Sequence, residues 1–83
     1  MSNTQERVQR VTAELLKIDR SGVKPESHFV KDLGAESIQS IELVAAFEEE
    51  FDIEMDEAQA LAVKTVGDAV MFIDRILAAK KQR

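Results

Sequence analysis

The stretch FVKDLGAESIQSIELVAAFEEEF, Phe29 to Phe51, decides the fold. Gly34 permits a sharp turn, and Ser37, one of the best helix-capping residue types, stands where a periodic segment begins. At 100° per residue, Leu43, Val44, Phe47 and Phe51 fall on one broad apolar face, with Ser40 on the same side. That face excludes Glu48 and Glu49, so it is the core side of a helix running from about Ser37 to Phe51. The opposite side interleaves Ile38, Ile41 and Ala45 with Glu42, Glu48 and Glu49. Two explanations fit isoleucines among glutamates. Either they tuck against the preceding loop, or they form a patch with an apolar centre and an acidic rim on which a basic partner docks.

Toward the N-terminus, Val8, Val11, Leu15 and Ile18 share one helical face, which predicts a first helix over about residues 4–19. Asn3 with Glu6, or Ser2 with Gln5, supplies a capping box. Gly22, Pro25 and Ser27 mark a loop reaching about Glu36, with Phe29, Val30 and Leu33 expected to pin it to the core. Toward the C-terminus, Asp56 with Gln59 caps a short helix to about Val63. Thr65, with Asp68 in a similar role, caps a last helix whose stripe is Val66, Ala69, Val70, Ile73, Ile76 and Leu77. Lys80, Lys81 and Arg83 suit the negative end of its dipole. No segment shows sustained alternation, so no sheet is expected. The fold class is all-α: one domain, residues 1–83, a small four-helix bundle of three longer helices and one short one.

Composition narrows the chemistry. The 83 residues include no Cys, Trp or Tyr and a single His, which excludes disulfides, thiolate nucleophiles and multi-histidine metal sites. The formal charge is −5, which argues against nucleic-acid binding. It is unevenly spread. Residues 32–63 hold ten acidic and no basic side chains, while residues 1–31 are net +2 and residues 64–83 net +3. The longest apolar runs are five residues, far from a membrane span, and the polar start lacks a signal-peptide core. The expectation is a cytoplasmic monomer.

No catalytic set emerges, and the chain reads as a non-enzyme. Ser37 needs no function beyond capping, but a helix N-terminus also favours a phosphate, through free backbone N–H groups and the dipole. Ser37 as a self-activated nucleophile would need a base, and only His28 and Asp32 are on offer, with no motif around them. Calcium binding through Asp52, Glu54, Asp56 and Glu57 lacks the glycine and ligand spacing of an EF-hand loop, so no metal site is assigned.

The quoted stretch, together with the following DIEMDEAQALAVKTVGDAVMFI, resembles the acyl carrier protein family over about residues 5–77. The resemblance implies that Ser37, at the start of the second helix, carries a covalent 4′-phosphopantetheine arm whose thiol holds acyl groups as thioesters. It implies that Ile38, Ile41, Glu42, Ala45 and Glu48, with Glu36 beside the serine, face partner enzymes. Those partners would be a phosphopantetheinyl transferase and acyl-transferring or acyl-modifying enzymes with basic docking surfaces, in a fatty-acid, polyketide or related pathway. Leu43, Phe47, Leu61, Val66 and Val70 are candidates to shelter an acyl chain. The alternative is an interaction module of the same fold, never modified, docking basic partners through its acidic second helix. Two departures stand out. The family's usual Asp-Ser-Leu motif is Glu36-Ser37-Ile38 here, and Met55 replaces a frequent proline before the third helix. The first points to a specialised carrier with partners of its own.

Overall fold

Three segments carry a helical stripe long enough to bury, and each forms a helix; the capped segment after Asp56 forms a fourth, short one. The computed structural model describes residues 3–81. Helix α1 spans Thr4–Leu16, α2 Ser37–Phe51, α3 Glu57–Ala62 and α4 Val66–Lys81. The core forms where α1 packs against α2 and α4. Val8 and Val11 of α1 meet Leu43, Phe47 and Phe51 of α2, and Val66, Ala69 and Ile73 of α4. The short α3 leans on α2 and buries only Ala60.

Helix α1 stops three residues earlier than the stripe suggests. Lys17 adopts a left-handed conformation (φ 58°, ψ 47°), and the Lys17 and Ile18 N–H groups both donate to Ala13 O. Ile18 keeps its place against the core, but from beyond the helix end. The same reversal ends α2, where Asp52 is left-handed (φ 54°) and Ile53 N–H donates to Glu48 O at 3.1 Å. At the start of α1, the Asn3 side chain makes no capping hydrogen bond, and Ser2 lies outside the described residues. Instead Thr4 Oγ1 donates to Asp74 Oδ1 at 2.5 Å, tying α1 to α4. Capping at α3 and α4 is half of what the sequence offers. Asp56 Oδ1 accepts from Gln59 N–H and Thr65 Oγ1 from Asp68 N–H, with the side chains of Gln59 and Asp68 making no return bond.

The loop between α1 and α2 contains a 3₁₀ turn, Arg20–Gly22, capped by Asp19 Oδ1 accepting from Ser21 N–H. Farther on, an isolated antiparallel bridge pairs His28 with Thr65. Phe29 N–H donates to Lys64 O and Val66 N–H to Ser27 O, both at 2.9 Å. Gly67 N–H then donates to Pro25 O at 2.7 Å, so close that a Cβ on Gly67 would sit 3.0 Å from that oxygen. No strand longer than this bridge occurs among the described residues. Phe29 is buried and Leu33 half-buried, as expected of residues that pin the loop. Val30 is not, being 52% exposed, because its backbone lies in the turn that carries the chain toward Gly34.

The far end of α2 is clamped to α1. Glu50 Oε2 accepts from Arg7 Nε at 2.8 Å and pairs with Arg10 Nη2 at 2.6 Å. Arg7 also donates to Glu50 O and stacks 4.3 Å over the Phe51 ring. The hydrogen bonds from Arg7, then Arg10, hold the Glu50 carboxyl below the usual carboxylate range.

Candidate functional site at the start of helix α2

The turn that delivers the chain into α2 is built from its own side chains. His28 Nδ1 accepts from the N–H groups of Val30 and Lys31, at 3.2 and 3.1 Å, and Asp32 Oδ2 accepts from His28 N–H at 2.7 Å. Gly34 follows at φ +74°, a conformation that glycine adopts without strain, and Ala35 N–H closes back on Phe29 O. The His28 lone pair and the Asp32 carboxylate are thus occupied by backbone. Neither is poised as a base for Ser37.

Glu36, not Ser37, is the N-cap of α2. Its backbone is extended (φ −85°, ψ 167°), and Gln39 Oε1 accepts from its N–H at 2.9 Å. Ser37 is the first helical residue. Because capping falls to Glu36 and Gln39, the Ser37 side chain is exposed and its hydroxyl makes no hydrogen bond among the described residues. The first intrahelical bond of the segment is Ser40 N–H to Glu36 O, at 2.9 Å. The N–H groups of Ser37 and Ile38 therefore lack an intrahelical acceptor, and the positive end of the α2 dipole lies at the Ser37 hydroxyl. A phosphodiester on that oxygen fits this position.

Downstream, Ile38 is 60% exposed and Ile41 45% exposed, so the packing of these two against the preceding loop is not what occurs. Glu42 and Ala45 are exposed beside them. Glu48 is half-buried, and its Oε2 accepts from Met55 N–H at 2.8 Å, which ties it to the connection before α3. The face running from Ser37 is therefore an apolar pair flanked by Glu36 and Glu42, with Glu48 partly committed to structure.

Behind this face lies a cavity of about 110 Å³, bounded by the His28–Val30 segment, α2, α3 and the start of α4. Leu43, Phe47 and Leu61 line it as the sequence suggested. Val66 and Val70 do not: Val66 is fully buried in the core, and Val70 packs against that core. The walls also include Phe72 and Met55 and three polar residues, His28, Ser40 and Lys64. Ser40 was detectable, since it shares the apolar side of α2 and stands three residues after Ser37. His28 and Lys64 reach the cavity through the loop-to-loop bridge, for which local pattern gives no signal.

Among the described residues no cluster of three or more His, Asp or Glu could hold a metal ion, and no helix is long and apolar enough to cross a membrane. A model of the family described as "Phosphopantetheine attachment site" matches residues 6–73. Among solved structures, a Mycobacterium tuberculosis protein assigned as an acyl carrier protein is similar, with 31% sequence identity and a TM-score of 0.79 over 86% of this chain and 95% of that one.

Proposed function

This chain belongs to the acyl carrier protein family, carriers of a covalent 4′-phosphopantetheine, and on that premise we propose that Ser37 bears the arm and that α2 presents its cargo to partner enzymes. When bound, the group supplies a terminal thiol that holds acyl groups as thioesters, a sulfur that this cysteine-free chain lacks. The observation that carries the reading is the Ser37 hydroxyl: exposed, without a hydrogen bond among the described residues, and at the positive end of a fifteen-residue helix. What this chain's own residues contribute is placement. Gly34 and the His28–Asp32 turn aim the segment, Glu36 and Gln39 relieve Ser37 of capping, and the free first-turn N–H groups favour an anion there.

Ile38 and Ile41 form the apolar centre of the docking surface, Ala45 extends it, and Glu36, Glu42 and the outer part of Glu48 form its acidic rim. The partners are a phosphopantetheinyl transferase and acyl-transferring or acyl-modifying enzymes with basic surfaces, in a fatty-acid, polyketide or related thioester pathway in the cytoplasm. The carrier acts as a monomer and performs no catalysis itself. β-branched Ile38, widely exposed next to the attachment point, favours a transferase with a recess for it.

The test is intact mass after incubation with coenzyme A and a panel of phosphopantetheinyl transferases. The expected result is a gain of one phosphopantetheine on the wild type, mapped to Ser37, and none on Ser37→Ala. A folded wild-type chain that gains no mass with any transferase leaves the unmodified interaction module as the function.

A further inference from the structure

One residue organises the turn that feeds α2. The His28 carbonyl accepts from the N–H groups of Asp32 and Leu33, at 2.9 and 3.0 Å, and its own N–H donates to Asp32 Oδ2. The ring adds two more hydrogen bonds, because Nδ1 accepts from the N–H groups of Val30 and Lys31. A ring nitrogen that accepts carries no proton, so the imidazole is neutral in this arrangement, with its proton on Nε2. The backbone on either side of His28 is anchored across the bridge. Phe29 N–H donates to Lys64 O, and Ser27 O accepts from Val66 N–H. The ring therefore hangs from a fixed point, and the segment it holds is the exposed one, starting at Val30 and Lys31.

A local acceptor for backbone N–H groups is more often the side-chain oxygen of Asn, Asp or Ser. Those oxygens still accept when the solution turns mildly acidic. Histidine is the side-chain type that changes charge between about pH 5 and 8. Protonation puts a hydrogen on Nδ1, and two N–H donors then face a third. The bonds from Gly34 N–H to Val30 O and from Ala35 N–H to Phe29 O close the same turn, so the loss reaches the residues just before α2. The charged side chains of the segments that meet at His28 are Glu26, Lys31 and Asp32 on its own loop, Lys64 across the bridge and Asp68 in the first turn of α4. Helices α2 and α3 line the adjacent cavity with uncharged side chains. Both signs are present around the ring, so the switch lies in the lone pair of Nδ1 and not in a one-sided charge cluster.

We propose that His28 is a proton-operated latch: neutral, it closes the turn from Val30 to Gly34; protonated, it releases that turn and loosens the entry to α2. The latch belongs to the fold and stands whether or not Ser37 is modified. The test is amide and imidazole NMR of the unmodified chain between about pH 8 and pH 5. At the upper end, the ring nitrogen signals should show Nδ1 bare and Nε2 protonated. As the ring takes up its proton, the Val30 and Lys31 amides should shift with the same midpoint. The exchange protection of Gly34 and Ala35, corrected for intrinsic rates, should fall at least about fivefold relative to the core amide of Phe47. His28→Asn keeps a side-chain acceptor that does not titrate, so its Gly34 and Ala35 amides should hold their protection over the same range. Asp32→Asn should leave the wild-type response in place, which separates the ring from the neighbouring carboxylate. The wild-type readings decide alone if either variant fails to fold. The proposal is overturned by the opposite tautomer at the upper pH, by a ring that titrates while the Val30 and Lys31 amides stay fixed, or by unchanged protection of Gly34 and Ala35. A response that persists in His28→Asn, or that a folded Asp32→Asn loses, overturns it as well.

Discussion

Thr12 is wholly buried, with 0% of its surface exposed, and its Oγ1 finds no hydrogen-bond partner among the described residues. A buried hydroxyl without a partner costs about 1–3 kcal/mol, because desolvation is not compensated. Thr12→Val replaces that hydroxyl with a methyl group of nearly the same size and leaves helix propensity almost unchanged. The expected gain is at least about 1 kcal/mol, which in a domain of this length raises Tm by about 4–8 °C. Thr12→Ser is the control. It keeps the unpaired hydroxyl and removes the methyl, so it should lose about 1 kcal/mol through lost burial and the small void left behind. Thermal melts followed by circular dichroism, with urea titrations to check that m is constant, give both numbers. If Thr12→Val melts at or below the wild-type temperature while Thr12→Ser is neutral, the hydroxyl has a partner, and the cost assigned to it is wrong.

Lys17 is an exposed, non-glycine residue in the left-handed region at the end of α1. Lys17→Gly should stabilise by about 0.5–1 kcal/mol, read by the same melts at high salt, where the lysine's favourable interaction with the helix dipole is screened. Glu50 has its carboxyl pKa lowered in the folded state by Arg7 and Arg10. Its contribution is therefore complete above the ordinary carboxylate pKa and is lost as pH falls toward the folded value. The Tm difference between wild type and Glu50→Gln should be largest at neutral pH and shrink as pH falls below the ordinary carboxylate range; a gap that widens on acidification contradicts the assignment. Ile41→Ser, at an exposed position, should leave stability within about 0.5 kcal/mol and lower the transferase kcat/KM about tenfold; a melt that falls sharply would show Ile41 to be structural instead.

The helical architecture was legible because burial in a small bundle writes itself into spacing. The bounds of α2, Ser37–Phe51, agree with its stripe, and the stripe of α4 supplies Val66, Ala69 and Ile73 to the core. What was not legible depends on contacts distant in sequence or on backbone states that residue type barely marks. Lys17 and Asp52 are left-handed without being glycine. Thr4 is held by Asp74, seventy residues away, a tie between α1 and α4 for which local pattern gives no signal. Ser37 is a better capping residue than Glu36 by type, yet Gln39 reaches back to the Glu36 N–H and moves the cap one residue earlier. At the site, exposure of Ile38 and Ile41 removes the loop-packing explanation that the helical wheel had left open. The cavity's polar lining needed the His28–Thr65 bridge, which joins two loops that share no local pattern.

The fold also redistributes the charge that the sequence concentrates in residues 32–63. Several of those ten carboxylates are engaged: Glu50 by Arg7 and Arg10, Asp52 by Lys80, and Asp32, Glu36, Glu48 and Asp56 by backbone N–H groups. The arginines and the lysine come from the basic ends of the chain, so those ends pair with Glu50 near the end of α2 and with Asp52 in the turn after it. Glu42 and Glu49 keep no partner among the described residues. Near Ser37 the carboxylate within α2 that no cation pairs is Glu42, beside Ile38 and Ile41, while Glu49 stands farther along the helix. For the proposed docking surface this matters because steering by a few exposed charges acts over about a Debye length, roughly 8 Å at physiological salt. A basic partner drawn to Glu42 arrives within reach of Ser37. One drawn evenly to ten carboxylates would not.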